Sequence, residues 1–346
     1  MVYSTKSGKR EVIEYFSFLR VIACIEIIFL HSFSTSYSLY KDALEPAQRF
    51  ISQIGALSFM WAVPIFVMVS GALLLNPNKE ISIHTILFKY IKRMLIALVI
   101  FGLVFQIYDV LIAQGTLGVS TVIDGLKNIF QATSWAHLWY IYLLIGLYCM
   151  LPIFKGFIKS ASDEELKFVL AILFIFLSGS TLLQIFNIPF GFYIHFSTIY
   201  PFYFLMGYAL HSGKIEIKPI ISIGMIMVGF VAIVWSIYGS VFAQWENTNV
   251  LWNYPSVPVV LESIGLFSLC THIKKVHPVI HWIDGVSFGI YLIHMIFIRY
   301  ILTKGIINPY QGGFLIQICI IATLSFGLSA FITFVLKKLP LFKNVL

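Results

Sequence analysis

Charge is scarce in this 346-residue chain. Asp, Glu, Lys and Arg together make up 11% of it, against about 25% in an ordinary soluble domain. With 59% apolar and 16% aromatic residues and a mean hydropathy of +0.91, there is too little polar surface to clothe a water-soluble globule. A nucleic-acid binder, a secreted disulfide scaffold and a disordered chain are excluded. Cysteine is also sparse: Cys24, Cys149, Cys270 and Cys319 lie inside apolar runs, form no CxxC pair and read as small core hydrophobes. A Gly-rich phosphate loop, a nucleophile elbow and the paired carboxylates of glycoside hydrolysis are missing, as is any solenoid-length or inverted repeat. No metal site is expected, because His272, His277 and His281 share a loop region without any familiar zinc spacing.

Long hydrophobic runs are what the chain has in quantity. A membrane-spanning helix needs about 20 mostly apolar residues, and ten such stretches occur near 12–34, 54–75, 93–113, 137–154, 166–186, 193–211, 219–242, 255–272, 285–303 and 314–336. The expected fold is all-α, a polytopic bundle of about ten transmembrane helices forming a single domain over 1–346. Basic residues test the count, because loops on the cytoplasmic side carry the excess of Lys and Arg. Lys6, Lys9 and Arg10 precede the first span, and the even-numbered loops and the C-terminal segment hold most of the rest. The odd-numbered loops hold only Lys41, Arg49, Lys127, Arg299 and Lys304. Both termini are therefore expected in the cytoplasm, and the formal charge of +8 is spent first on orientation. The first run is too long for a signal peptide and contains Arg20 and Glu26. The longest external loops, near 35–53 and 114–136, are too small to fold alone, so any chemistry belongs inside the bundle.

An ionisable side chain inside a bilayer costs about 2.5–3.5 kcal/mol on insertion scales, which makes each one a functional candidate. The first span holds Arg20, Glu26 and His31. Arg20 and His31 stand eleven residues apart, which at about 100° per residue is within roughly 20° of three whole turns and spans roughly 16 Å. One helix face thus carries both, Arg20 toward the cytoplasm and His31 toward the exterior, and that face looks into the bundle or a wet cavity. The arrangement suits a reaction whose two substrates arrive from opposite sides. A guanidinium binds phosphate or polarises a carbonyl, and a neutral imidazole accepts a proton. The competing reading is that both are polar glue between helices. Glu26, about 120° away around the helix, fits a structural role.

The run "LRVIACIEIIFLHS" (residues 19–32) resembles the Arg-x10-His signature of the membrane-bound acyltransferase 3 family. "PIFVMVSGALLL" (64–75) looks like that family's second-span segment. "HLWYIYLLIGLYCMLPIF" (137–154) is similar to its His-Leu-Trp-Phe-type span, and "SFGIYLIH" (287–294) matches its late-helix pattern ending in Tyr-Leu-x-His. The resemblance covers essentially the whole chain. It implies transfer of an acyl group, commonly acetyl from cytosolic acetyl-CoA, to a hydroxyl of a glycan or lipid-linked glycan handled at the outer face. The family's essential His and Arg fall on His31 and Arg20. Its Arg-x-x-Arg pair at the inner end of the third span is replaced by "FKYIKR" (88–93), where Lys89 and Lys92 keep the spacing and Arg93 follows. Coenzyme A carries a diphosphate and a 3′-phosphate, and these three cations crowd the helix entrance on the donor's side. Positive-inside bias alone also accounts for any one of them.

Further candidates for acceptor contact are His137 and Trp139 at the outer start of the fourth span, with Tyr140 and Tyr142, and Tyr291 and His294 in the ninth. Interface anchoring and packing of a bundle seam are the alternatives. Ser70-Gly71 and Gly285-xxx-Gly289 read as places of close helix approach. Glu262 is a second intramembrane acid that would orient His31 or pair with Arg20. The sequence thus reads as an integral-membrane O-acyltransferase using acetyl-CoA or another acyl-CoA as donor substrate, with no permanently bound cofactor. Its partners are the lipid bilayer and a glycan acceptor, and its place is a cell membrane, the cytoplasmic one in a bacterium. His31 serves as base or as acyl carrier. A transporter with an Arg20, Glu26, His31 and Glu262 path is the alternative function.

Overall fold

The computed structural model describes residues 3–4, 10–11, 13–192 and 198–346. Apart from a two-residue antiparallel ladder between Tyr3–Ser4 and Arg10–Glu11, its regular elements are helices. Lys6 and Lys9 of the orientation argument, and the first five residues of the expected span 193–211, lie outside the described residues. The main helices are α1 (Glu14–Tyr40), α2 (Pro46–Leu57), α3 (Ala62–Leu74), α4 (Ile83–Ile112), α5 (Val119–Phe130) and α6 (Trp139–Ser160). They continue with α7 (Asp163–Ile185), α8 (Tyr200–His211), α9 (Pro219–Phe242), α10 (Val257–Cys270), α11 (Pro278–Thr303) and α12 (Phe314–Leu336).

Eight stretches among the described residues are long and apolar enough to cross a membrane, with α2 and α3 counted as one. Two expected spans are shorter than the sequence suggests. α8 has 12 residues and α10 has 14, which at about 1.5 Å per residue fall short of a hydrocarbon core of about 30 Å. Both are buried along most of their length, so their apolar character serves protein contact. The second expected span is also broken, since α2 begins at Pro46 and the chain turns between Leu57 and Ala62. The expected outer loops are largely helical: α1 runs on to Tyr40, and α5 occupies the middle of 114–136. α5 shows Val119, Val122, Ile123, Leu126 and Phe130 to the outside, an apolar stripe suited to lying in the membrane interface.

Local signals set the helix ends. Pro46, Pro219 and Pro278 occupy first-turn positions of their helices, where a missing N–H costs nothing. Ser162 and Glu165 form a capping box at α7, and Lys214 pairs with Asp163 beside it. The amine of Lys155 donates to the carbonyls of Leu74, Asn76 and Lys79 at 3.3, 2.9 and 2.7 Å. It thereby satisfies acceptors that the end of α3 leaves open.

α1 lies at the centre and packs on α2, α3, α11 and α12. In α1 and α11, 56% and 61% of the apolar stretch is buried; in α9 it is 28%. The outer helices turn Leu111, Phe168, Ile220 and Phe331 outward, as a lipid-facing surface requires. α3 and α8 cross so closely that a Cβ on Gly71 would meet the backbone of Phe204, and one on Gly207 would meet the backbone of Met68. This is the small-residue approach expected at Ser70-Gly71, while the Ser70 hydroxyl bonds back to the Phe66 carbonyl at 2.8 Å. Gly71→Ala or Gly207→Ala should each cost about 1–3 kcal/mol through overpacking. Thermal unfolding in detergent should show a lower midpoint for each, and an unchanged midpoint would mean that the crossing is looser than described.

Candidate active site

The expectation that Arg20 and His31 share one face of α1 is met in a specific way: both side chains meet α11. Toward the start of α1 the Arg20 guanidinium grips Asp284 with two bonds, Nε to Oδ1 and Nη2 to Oδ2, each 2.5 Å. Ser17 adds a hydroxyl to Oδ2 at 2.8 Å. At the other level His31 Nδ1 lies 2.7 Å from His294 Nε2, with the rings stacked at 5.0 Å and 7°. The early residue of α1 meets the early residue of α11, and the late one the late one. The two helices therefore run parallel, as odd-numbered crossings must.

The hydrogen bonds fix the tautomers of the histidines. His294 Nδ1 lies 3.1 Å from the Ile290 carbonyl, which only accepts, so Nδ1 carries the proton and Nε2 of the neutral ring is an acceptor. His31 Nδ1 must then donate to it, which leaves the lone pair of His31 on Nε2. His31 is half-buried and lines two cavities. One is an outward-opening cleft of about 400 Å³ with Ser34, Thr35, Ser38, Trp135 and Arg299 in its wall. The other is a narrow pocket of about 20 Å³ among Ile27, Trp139, Tyr254 and Tyr291, room for about one water.

His137 lines both cavities as well. It is 4% exposed, with its ring 6.3 Å from His31 and 5.5 Å from His294. Its Nε2 approaches the Leu292 carbonyl at 3.3 Å, and the Tyr291 hydroxyl donates to the His137 carbonyl. Trp139 leans on Tyr200 and Tyr254 beside the narrow pocket. On the cleft's rim Arg299 lies over the Trp135 ring at 4.3 Å and 3.4 Å from Asp109, which also accepts from Trp135 Nε1 at 2.7 Å.

Other candidates are dispersed. Glu262 neither orients His31 nor pairs with Arg20: it packs against Gly229 of α9 and keeps one carboxylate oxygen without a partner among the described residues. Asp284 takes the place imagined for it. Glu26 is half-buried and has no ion pair among the described residues. The three basic residues of the third span do not act as one group. Lys89 and Lys92 are exposed, Lys89 within a π-turn over Ile86–Ile91. The neighbouring charges of Lys89 and Lys155, after burial itself, lower the pKa of Lys79. Arg93 turns inward instead: it lies over the Phe288 ring at 5.1 Å and donates to the main-chain oxygens of Val345 and Leu346 at 2.9 and 3.0 Å. Lys337, which donates to the Gly285 carbonyl at 2.6 Å, stands within electrostatic reach of Arg93 and Asp284. Sequence reasoning missed Asp284 and Lys337. Asp284 stands ten residues before His294, nearly the spacing of Arg20 to His31, and that parallel was the available signal.

Neither cavity that His31 lines includes Arg20, and Ala23, Cys24, Ile27 and Ile28, between the two residues on α1, are at most 4% exposed. The site is thus a basic, carboxylate-anchored mouth on one side and an imidazole cluster in a hydroxyl-lined cleft on the other, separated by packed apolar side chains.

No curated protein and no solved structure matches the chain. The family model described as an acyltransferase domain, acyltransferase 3, matches residues 13–334, a range that contains both levels of the site. The chain is a multi-pass membrane protein and belongs to the acyltransferase 3 family.

Proposed function

We propose that this acyltransferase moves an acetyl group from cytosolic acetyl-CoA to a hydroxyl of a cell-surface or lipid-linked glycan across a cell membrane, the cytoplasmic one in a bacterium. The observation that carries the reading is the imidazole of His31, whose Nδ1 is committed to His294, so that Nε2 holds the lone pair, in a ring that lines a cleft with Ser34, Thr35, Ser38 and Arg299 in its wall. An imidazole held in one tautomer by a second residue, with its basic nitrogen toward a polar cavity, is what general-base activation of a hydroxyl needs.

In the reaction the acceptor hydroxyl gives its proton to His31 Nε2 while its oxygen forms a bond to the thioester carbonyl carbon. The carbon–sulfur bond then breaks, and the leaving thiolate takes the proton from His31. His294 positions the ring. Arg20, locked in plane by Asp284, serves the donor's cytoplasmic side, and Arg93 and Lys337 provide further positive charge for its phosphates. Lys89 and Lys92, being exposed, are left for the outer phosphates. The packed residues between Arg20 and His31 have to part for the acyl group to reach the imidazole, so movement along the α1–α11 seam belongs to the catalytic cycle.

Purified protein in liposomes, given labelled acetyl-CoA inside and glycan outside, should release CoA and label the glycan. An exporter would leave the thioester intact. His31→Ala should lower transfer by about 10²–10⁴-fold with normal insertion, and activity near wild type would remove His31 from the site. Arg20→Ala strands Asp284, a loss of about 3–5 kcal/mol when a buried pair is broken. The double variant Arg20→Ala/Asp284→Ala should recover expression without recovering transfer. If it recovers transfer too, Arg20 holds helices together and does not serve the donor.

A further inference from the structure

The proposed reaction does not use the His137 side chain. Its Nε2 faces the Leu292 carbonyl at 3.3 Å, so that nitrogen carries the proton, and the neutral ring presents an unprotonated Nδ1. Nδ1 is buried and has no hydrogen-bond partner among the described residues. An orphaned acceptor in a buried position is costly, and this one belongs to a ring held by its backbone to Tyr291 and set against Phe105, Trp135 and His294. Its neighbour across the pocket, His31, also presents an unprotonated nitrogen, and the ring centres are 6.3 Å apart. The two rings line the same two cavities, and each has one basic nitrogen left for a donor of a hydrogen bond.

We infer that His137 Nδ1 accepts a hydrogen bond from a second hydroxyl of the acceptor, one on the carbon adjoining the hydroxyl that is acylated, so that the site selects a vicinal diol. This rests on the acyl-transfer reading of His31 and narrows its substrate class. Adjoining hydroxyls on a sugar ring lie close enough for one to reach His31 Nε2 and the other His137 Nδ1. A lone alcohol would leave one nitrogen unsatisfied in a buried site, which is how a polar pocket rejects an analogue lacking a hydroxyl. His137 is thus a specificity residue, distinct in role from the base.

The test uses the protein in its own cell. Surface glycans are extracted from cells carrying wild type, His137→Phe, His137→Asn or no gene, at matched protein levels by immunoblot, and the ester positions are mapped. In the wild type every esterified sugar should keep a free hydroxyl on an adjoining carbon. His137→Phe, which removes the acceptor, should lose ester by about tenfold or more. His137→Asn, whose side-chain oxygen takes the place of Nδ1, should keep clearly more ester than Phe. Esters on rings whose adjoining positions are all substituted, or equal loss in the Phe and Asn variants, would overturn the inference while leaving acyl transfer standing. Identical glycans with and without the gene would overturn the acyl-transfer reading itself and the diol selection with it.

Discussion

The architecture depends on the cost of holding a permanent charge in hydrocarbon. Arg20 cannot lose its proton, and a guanidinium within a membrane helix has to be met by a carboxylate, by carbonyls or by water. Here Asp284 meets it in plane through two bonds, with Ser17 sharing the carboxylate. That demand fixes the first long helix against the eleventh in one register. Once the register is set, the imidazoles of His31 and His294 fall opposite one another about three turns further on. The pairing of the two imidazoles is thus a consequence of a charge being neutralised elsewhere on the same two rods.

The periphery follows a different rule. The lipid-facing helices need only apolar residues outward, and they bury little. Contact in the interior depends on removing side chains, as at Gly71 and Gly207, or on a long amine reaching loose carbonyls, as Lys155 does at the end of α3. The interior therefore mixes glycine crossings with a few polar clasps.

Much of this was legible in the sequence. The spans at 219–242 and 314–336 coincide with α9 and α12, because uninterrupted hydrophobicity bounded by Lys-Pro on one and a Gly pair on the other leaves little freedom. The shared face of Arg20 and His31 followed from the helical repeat alone. Hydropathy counts apolar residues without telling lipid from protein, so the short buried α8 and α10 read like full crossings. Asp284 was passed over because hydropathy begins the ninth span at 285, one residue too late, while the helix itself starts at Pro278. Tertiary pairing, which no single run encodes, decided the fate of the basic residues: Arg93 and Lys89 sit four apart yet belong to different surroundings.

The clasp between Arg20 and Asp284 joins positions 264 residues apart, and this has a bearing on biogenesis. A ribosome adding roughly 5–20 residues per second delivers the carboxylate on the order of tens of seconds after the arginine. Throughout that interval the nascent first helix resides at the insertion machinery with its cation unmatched, so early folding has to keep that face toward water or a protein surrogate. Final closure of the core then awaits the translation of α11.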